Sequence, residues 1–310
     1  MRSRRDFLSG TGLALVSTVS AACLPVLTRY SAQRIEPLLF CACTNAVAAL
    51  SMLPLVCRQG SLALLTARPY RFRLVIFSLL GAVGTSLALI FGLRRVSAIS
   101  GVLLLQVEPI YSLVLAGVLL GEVPTPIQAV ATLIILGAIA VVFGAGALTF
   151  NRGALALLGV PLMWQCSHVV ALKLMPPLTP AQMTAARYGY GALVFGFLLA
   201  VAGAPDWRQL GQPDLILPVV ATAVIPYALG ALAWYGAISR LSLSWTTALC
   251  VPGVPILSVS FAILFLGERA KEQELVGLVL AVAGVVALIL GGNPDRATAQ
   301  NLELPVPPGL

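Results

Sequence analysis

Charged side chains are scarce in this sequence. Asp, Glu, Lys and Arg make up 10% of its 310 residues, against 59% hydrophobic residues. A soluble domain carries about 25% charged residues, so this chain cannot cover a water-facing surface. Histidine occurs once, and the four aspartates, Asp6, Asp206, Asp214 and Asp295, are scattered. That leaves no clustered acidic motif for a metal or a pyrophosphate, and an enzyme needs convergent acid, base or metal groups. The six cysteines lie in or beside apolar stretches, and the one-residue gap between Cys41 and Cys43 matches no zinc spacing. They read as small packing residues. No Gly-Lys-Ser/Thr phosphate loop is present. No enzyme activity, metal or cofactor is expected. A polytopic membrane enzyme for a lipid-linked substrate and a non-transporting scaffold are the alternatives, and neither has a motif in its favour.

Long apolar runs are what the sequence does have. The mean hydropathy is +0.98. Apolar windows run over about 9–28, 37–57, 73–93, 97–120, 127–148, 153–174, 181–202, 215–237, 241–266 and 273–292. A spanning helix needs roughly 20 apolar residues. Lipid forces each segment to satisfy its own backbone, so helices or a closed barrel are the choices. Strand-period alternation is absent, and the fold class is an all-α integral membrane protein with ten transmembrane helices. The net charge of +8 does not imply nucleic acid. Its basic residues sit singly or in pairs at span ends, where they set topology and meet anionic lipid.

An internal repeat follows. A slide of 146 residues puts Pro109-Ile110-Tyr111-Ser112 on Pro255-Ile256-Leu257-Ser258, and Leu120-Gly121-Glu122 on Leu266-Gly267-Glu268. Seven of fourteen positions from 109 to 122 are identical. The slide divides the chain into five-helix repeats at 9–148 and 153–292, with a polar tail at 293–310. Five is odd, so the repeats are inverted across the membrane plane, a device of secondary transporters. Cytoplasmic termini put ten basic residues inside and eight outside, the sense of the positive-inside rule. Ser3-Arg4-Arg5-Asp6-Phe7-Leu8 is similar to a twin-arginine export signal. It reads as the flank of span one, because nine spans follow and the repeat needs a first helix.

Several polar or broken positions stand out within the windows. Glu108 lies near mid-span in Gln106-Val107-Glu108-Pro109. A carboxylate there must face the protein interior or a cavity. It reads as a partner for a cation, an amine or a proton, or as a buried carboxylate bonded to a neighbouring helix. His168, one turn after Trp164, reads as a proton relay or a packing residue. Tyr227, Trp234 and Tyr235 offer rings to a solute, while Trp234 and Tyr235 equally fit an interfacial belt. Pro252-Gly253-Val254-Pro255 breaks span nine, which favours a gating or site-lining role for Pro252 and Pro255. Arg187 either snorkels or pairs within the bundle. Glu122 and Glu268 follow helix-ending glycines and read as caps for the next helix. Gly117 with Gly121, and Gly277 with Gly284, permit close helix contact; a homodimer face and intramolecular packing explain them equally well.

Leu119-Leu120-Gly121-Glu122 and Phe265-Leu266-Gly267-Glu268, each with a proline thirteen positions before the Glu, resemble the EamA family of the drug/metabolite transporter superfamily. The resemblance covers about 10–292. It implies ten helices in inverted repeats and cytoplasmic termini. It also implies a central cavity lined mainly by spans one, three, four, six, eight and nine, and transport without ATP. Pro109, Gly121, Glu122, Arg187, Gly267 and Glu268 match its signature positions. The position matching Arg187 in the first repeat is Cys41, so that arginine occurs once. The expected function is export of small metabolites, such as amino acids or cationic compounds, by alternating access in the bacterial inner membrane. The solute, the direction, and the choice among proton coupling, uniport and exchange lie beyond the sequence.

Overall fold

The computed structural model describes residues 4–59, 62–120, 125–147, 151–175, 177–203, 206–241, 246 and 249–291. These residues are helical, with no strand among them. The helices are α1 (Arg4–Ala32), α2 (Pro37–Arg58), α3 (Arg68–Ser78), α4 (Thr85–Leu93), α5 (Ala98–Leu105), α6 (Glu108–Leu120), α7 (Pro126–Ala147), α8 (Arg152–Leu172), α9 (Pro180–Ala202), α10 (Pro213–Thr222), α11 (Ala231–Arg240), α12 (Gly253–Leu266) and α13 (Glu272–Leu290). Eight helical stretches are long and apolar enough to cross a membrane, including α3–α4 as one and α10–α11 as another. Two more apolar helices, Pro126–Val142 within α7 and α12, are shorter. Large apolar side chains such as Leu133, Leu193, Phe197, Leu264 and Phe265 are exposed. Water would penalise such a surface, whereas lipid accepts it.

The helices start as their sequences dictate. Proline opens α2, α7, α9 and α10, where its missing N–H costs nothing. Glu36 accepts from the N–H groups of Leu38 and Leu39, and Thr179 with Gln182 forms a capping box. α12 ends on Gly267 in the left-handed region at φ 65°, a conformation that disfavours any side chain.

Glu268 corrects one expectation. It does not cap the next helix, α13, whose own capping box uses Glu274. Its oxygens accept from the N–H groups of Ala98 (2.9 Å) and Ile99 (3.1 Å), at the start of α5 in the other half. The Arg29 side chain, at the end of α1, lies 3.7 Å from the same carboxylate. A polar pocket of Arg29, Arg95, Asn151, Glu268, Lys271 and Glu274 therefore gathers at one end of the bundle. Gly121 and Glu122 lie outside the described residues.

The last glycine pair has a plain use. A Cβ on Gly277 would stand 3.2 Å from the Ala138 carbonyl, and one on Gly284 would stand 3.1 Å from that of Ala131. α13 thus packs its glycine face against α7 within the chain, and this pair is not free to make a dimer face.

Glu268→Ala leaves two N–H groups of α5 uncapped and Arg29 without its partner. A loss of about 1–2 kcal/mol is expected, read as a lower thermal midpoint in detergent. An unchanged midpoint would show that the cap contributes nothing.

Candidate functional site

Two of the crossings made of paired helices, α3–α4 and α10–α11, are interrupted by a wide turn. π-helical segments occupy Leu79–Gly84 between α3 and α4, and Ala223–Gly230 between α10 and α11. They end at Gly84 and Gly230, which are 146 residues apart (230 − 84), the offset of the sequence repeat. Pro226 lies in the second and removes a donor from it. Such turns occur often at functional sites because they release backbone groups from the helical ladder. Two further breaks lie at Gln106–Val107, between α5 and α6, and at Val251–Pro252, before α12.

A cavity of about 190 Å³ lies where these interruptions meet. Ser17, Thr18, Ala21, Leu24 and Pro25 of α1 line one side. Gly81, Thr85, Ser86, Leu89, Val102, Leu105, Gln106 and Glu108 continue the wall from the first half. The second half contributes Trp164, His168, Arg187, Tyr188, Pro226, Tyr227, Trp234, Tyr235, Cys250, Val251, Val254 and Ser258. The cavity is smaller than the roughly 300–1,000 Å³ of drug-sized ligand sites, which suits a small solute.

Arg187 is buried in this wall at 7% exposure. Its Nε donates to the Gly81 carbonyl (2.8 Å), its second terminal nitrogen bonds the same oxygen, and its first donates to the Tyr235 hydroxyl (2.9 Å). Its guanidinium lies 5.6 Å from the ring centre of Phe77 and 5.8 Å from that of Tyr188. Every one of these partners is formally neutral. Among the described residues no carboxylate lies within ion-pair distance of Arg187. The arginine therefore pairs within the bundle and does not snorkel.

Glu108 is the carboxyl group of the same wall and shows a similar lack. Gln165 Nε2 donates to its Oε1 at 2.8 Å, and the described residues supply no cation within ion-pair distance. A charge in a low-dielectric interior is costly unless it is paired and hydrogen-bonded. One wall thus carries a guanidinium and a carboxyl group that are not paired with each other.

Rings form the rest of the surface. Tyr188 stacks on Tyr227 with centroids 4.8 Å apart, and His168 stacks on Trp234 at 5.5 Å. The Tyr227 hydroxyl lies 3.0 Å from Ser86 Oγ. Tyr235 is fully buried, and Trp234 faces the cavity, so neither belongs to an interfacial belt. Among the described residues of the wall, two buried donors have no partner, Gln106 Nε2 and Trp234 Nε1.

The sequence singles out Gln106, Glu108, Trp164, His168, Tyr227 and Trp234, and all six lie in the wall. Pro252 and Pro255 do not. Pro255 is third in α12, where proline loses no helical bond, and Val251 and Val254 supply the surface there. Ser17, Thr18, Ser86, Tyr188 and Ser258 escape sequence reasoning. A single hydroxyl in an apolar helix ordinarily bonds to its own backbone and gives no signal. The resemblance omits span seven, yet α9 contributes Arg187 and Tyr188. Cys41, the position that matches Arg187, is wholly buried and outside the wall.

The profile of the EamA-like transporter family matches this chain twice, over residues 8–144 and 151–290. The chain belongs to the EamA-like transporter family. It is thus a multi-pass membrane protein of a family that carries small solutes across the bilayer, and its kinship points to a transporter. One EamA relative, from Streptantibioticus cattleyicolor, is named "Probable terminal-alkyne amino-acid exporter". It is 28% identical over 244 residues, covering 74% of this chain and 79% of the relative. A protein of known crystal structure superposes with a TM-score of 0.67 over 95% of this chain and 99% of its own, at 17% identity. That likeness shows the fold alone.

Tyr235→Phe removes one acceptor from a buried guanidinium. A hydrogen bond to a charged group contributes about 1.5–3 kcal/mol, and a thermal midpoint lowered to match is expected in detergent. A drop below about 0.5 kcal/mol would mean that the guanidinium is held without Tyr235.

Proposed function

We propose that this protein is a secondary transporter that exports small metabolites, amino acids foremost, by alternating access. The observation that carries the proposal is the cavity, whose wall is shared between residues 17–108 and residues 164–258. A site between two repeated halves becomes open to either side when the halves rock. Ten crossings complete this reading, with α7 and α12 as the fifth and ninth. The family match over each half, the 146-residue offset of the two π turns and the sequence repeat all support two inverted five-helix units.

The topology is supported by the loops that meet. Arg29, Arg95, Asn151 and Glu268 belong to four connections that ten crossings put on one side, and they line one pocket. Gln59 and Thr179, assigned to the other side, are hydrogen-bonded at 2.9 Å. Both termini then lie on the side of Gln59. The basic residues make that side the cytoplasm of a bacterial inner membrane. The amino-acid class is supported by the name of the relative, by the small cavity and by its separate guanidinium and carboxyl group. The sequence has no phosphate-binding loop, so the gradient of the solute or of an ion would drive the movement.

Counterflow tests this reading. Purified protein is placed in vesicles loaded with unlabelled alanine, valine, leucine or phenylalanine. Labelled amino acid outside should then rise transiently above its equilibrium level inside, with no ATP present. Absence of an overshoot for all four, with the protein folded, would sink the amino-acid proposal. Export itself predicts that dipeptide-fed cells expressing the protein release more of the transported amino acid.

A further inference from the structure

The guanidinium and the carboxyl group of the wall, unpaired with each other, carry the proposal one step further, resting on the amino-acid reading above. Arg187 is surrounded by a carbonyl, a phenol and two rings. Those groups orient a guanidinium without cancelling its charge. Three of its five N–H groups are used by these bonds, which leaves two for a further acceptor. Glu108 has one amide donor and, among the described residues, no cation within ion-pair distance. If these groups served packing alone, an apolar pair would cost less, because burying an ion pair rarely repays its desolvation. A guanidinium and a carboxyl group on one wall, not paired with each other, suit a solute that has both signs.

We infer that the solute binds as a zwitterion, with its carboxylate on Arg187, its ammonium on Glu108 and its side chain against the apolar and aromatic wall. A guanidinium matches a carboxylate in geometry as well as charge. A carboxylate accepts from an ammonium in return. The two groups come from different halves, Glu108 from the first and Arg187 from the second. A solute bound to both therefore bridges the elements whose relative motion opens and closes the cavity. Free monovalent amines and acids satisfy only one charge and leave the other buried without a partner. The asymmetry also fixes orientation. Val254 is at the position matching Glu108 and Cys41 at that matching Arg187, so the solute cannot bind turned around by the pseudo-two-fold.

The test uses the amino acid with the strongest counterflow and two analogues of it, one lacking the carboxylate and one lacking the amine. For leucine these are isoamylamine and isocaproate. Each is added as a competitor of wild-type counterflow. Loss of one buried charge contact costs at least about 2 kcal/mol, so each analogue should compete about thirtyfold more weakly or worse. Glu108→Gln should then narrow the gap between leucine and isocaproate and leave the gap to isoamylamine. Arg187→Gln should do the reverse. A purely structural residue would lower affinity for all three ligands together. Counterflow in which isoamylamine or isocaproate competes as well as leucine overturns the zwitterion and leaves the transporter reading intact. An unchanged pair of gaps in Glu108→Gln overturns the role of Glu108. If Arg187→Gln does not fold, the wild-type comparison still decides, because it changes only the ligand.

Discussion

Arg187 is bonded to the Gly81 carbonyl on one side and to the Tyr235 hydroxyl on the other. Those three residues come from α9, the π turn before α4, and α11. One side chain thus joins three crossings from both halves of the chain. Gly81 lies in the wide turn, and its carbonyl accepts from Thr85 Oγ1 as well. Gly81 has a second duty here. A Cβ at that position would reach into Arg187 and Ser167, so only glycine lets the guanidinium come this close. The rings of Phe77 and Tyr188 then face the cation, and Tyr188 carries the wall onward to Tyr227.

The bilayer sets the wider constraint. Non-helical backbone at membrane depth is tolerated only inside protein or beside a water-filled space. Four interruptions, at Leu79–Gly84, Gln106–Val107, Ala223–Gly230 and Val251–Pro252, all contribute residues to or next to one cavity. Each relaxes the helix where its polar groups have somewhere to go. Away from the cavity the helices pack closely. Gly277 and Gly284 let α13 approach α7, and Glu268 fastens the second half to the start of α5. The broken stretches gather at the cavity, and these close contacts lie away from it.

Much of this was legible in the sequence because lipid punishes exceptions. Glu108, Gln106, His168 and Trp164 stand out against apolar windows, and the structure brings them to one wall. The repeat could be read because its two copies retain the Pro and Leu-Gly-Glu positions. Other features had no local signature. Ser17 and Ser86 look like any hydroxyl in a helix. Glu268 finds its partners 169 and 170 residues away, and nothing in Leu266-Gly267-Glu268 points to α5. Pro252 and Pro255 marked the break correctly but not the surface, since a proline locates a kink and not the side chains beside it.

The central claim is that one cavity, shared by both halves, opens in turn to each side of the membrane. Cysteine accessibility tests it most directly. With the six native cysteines replaced, Ala21→Cys puts a single thiol on the cavity wall. Vesicles of either orientation are then exposed to a membrane-impermeant maleimide. The account predicts labelling from both sides, slowed by a transported amino acid. Labelling from one side only, whatever the solute, would contradict it.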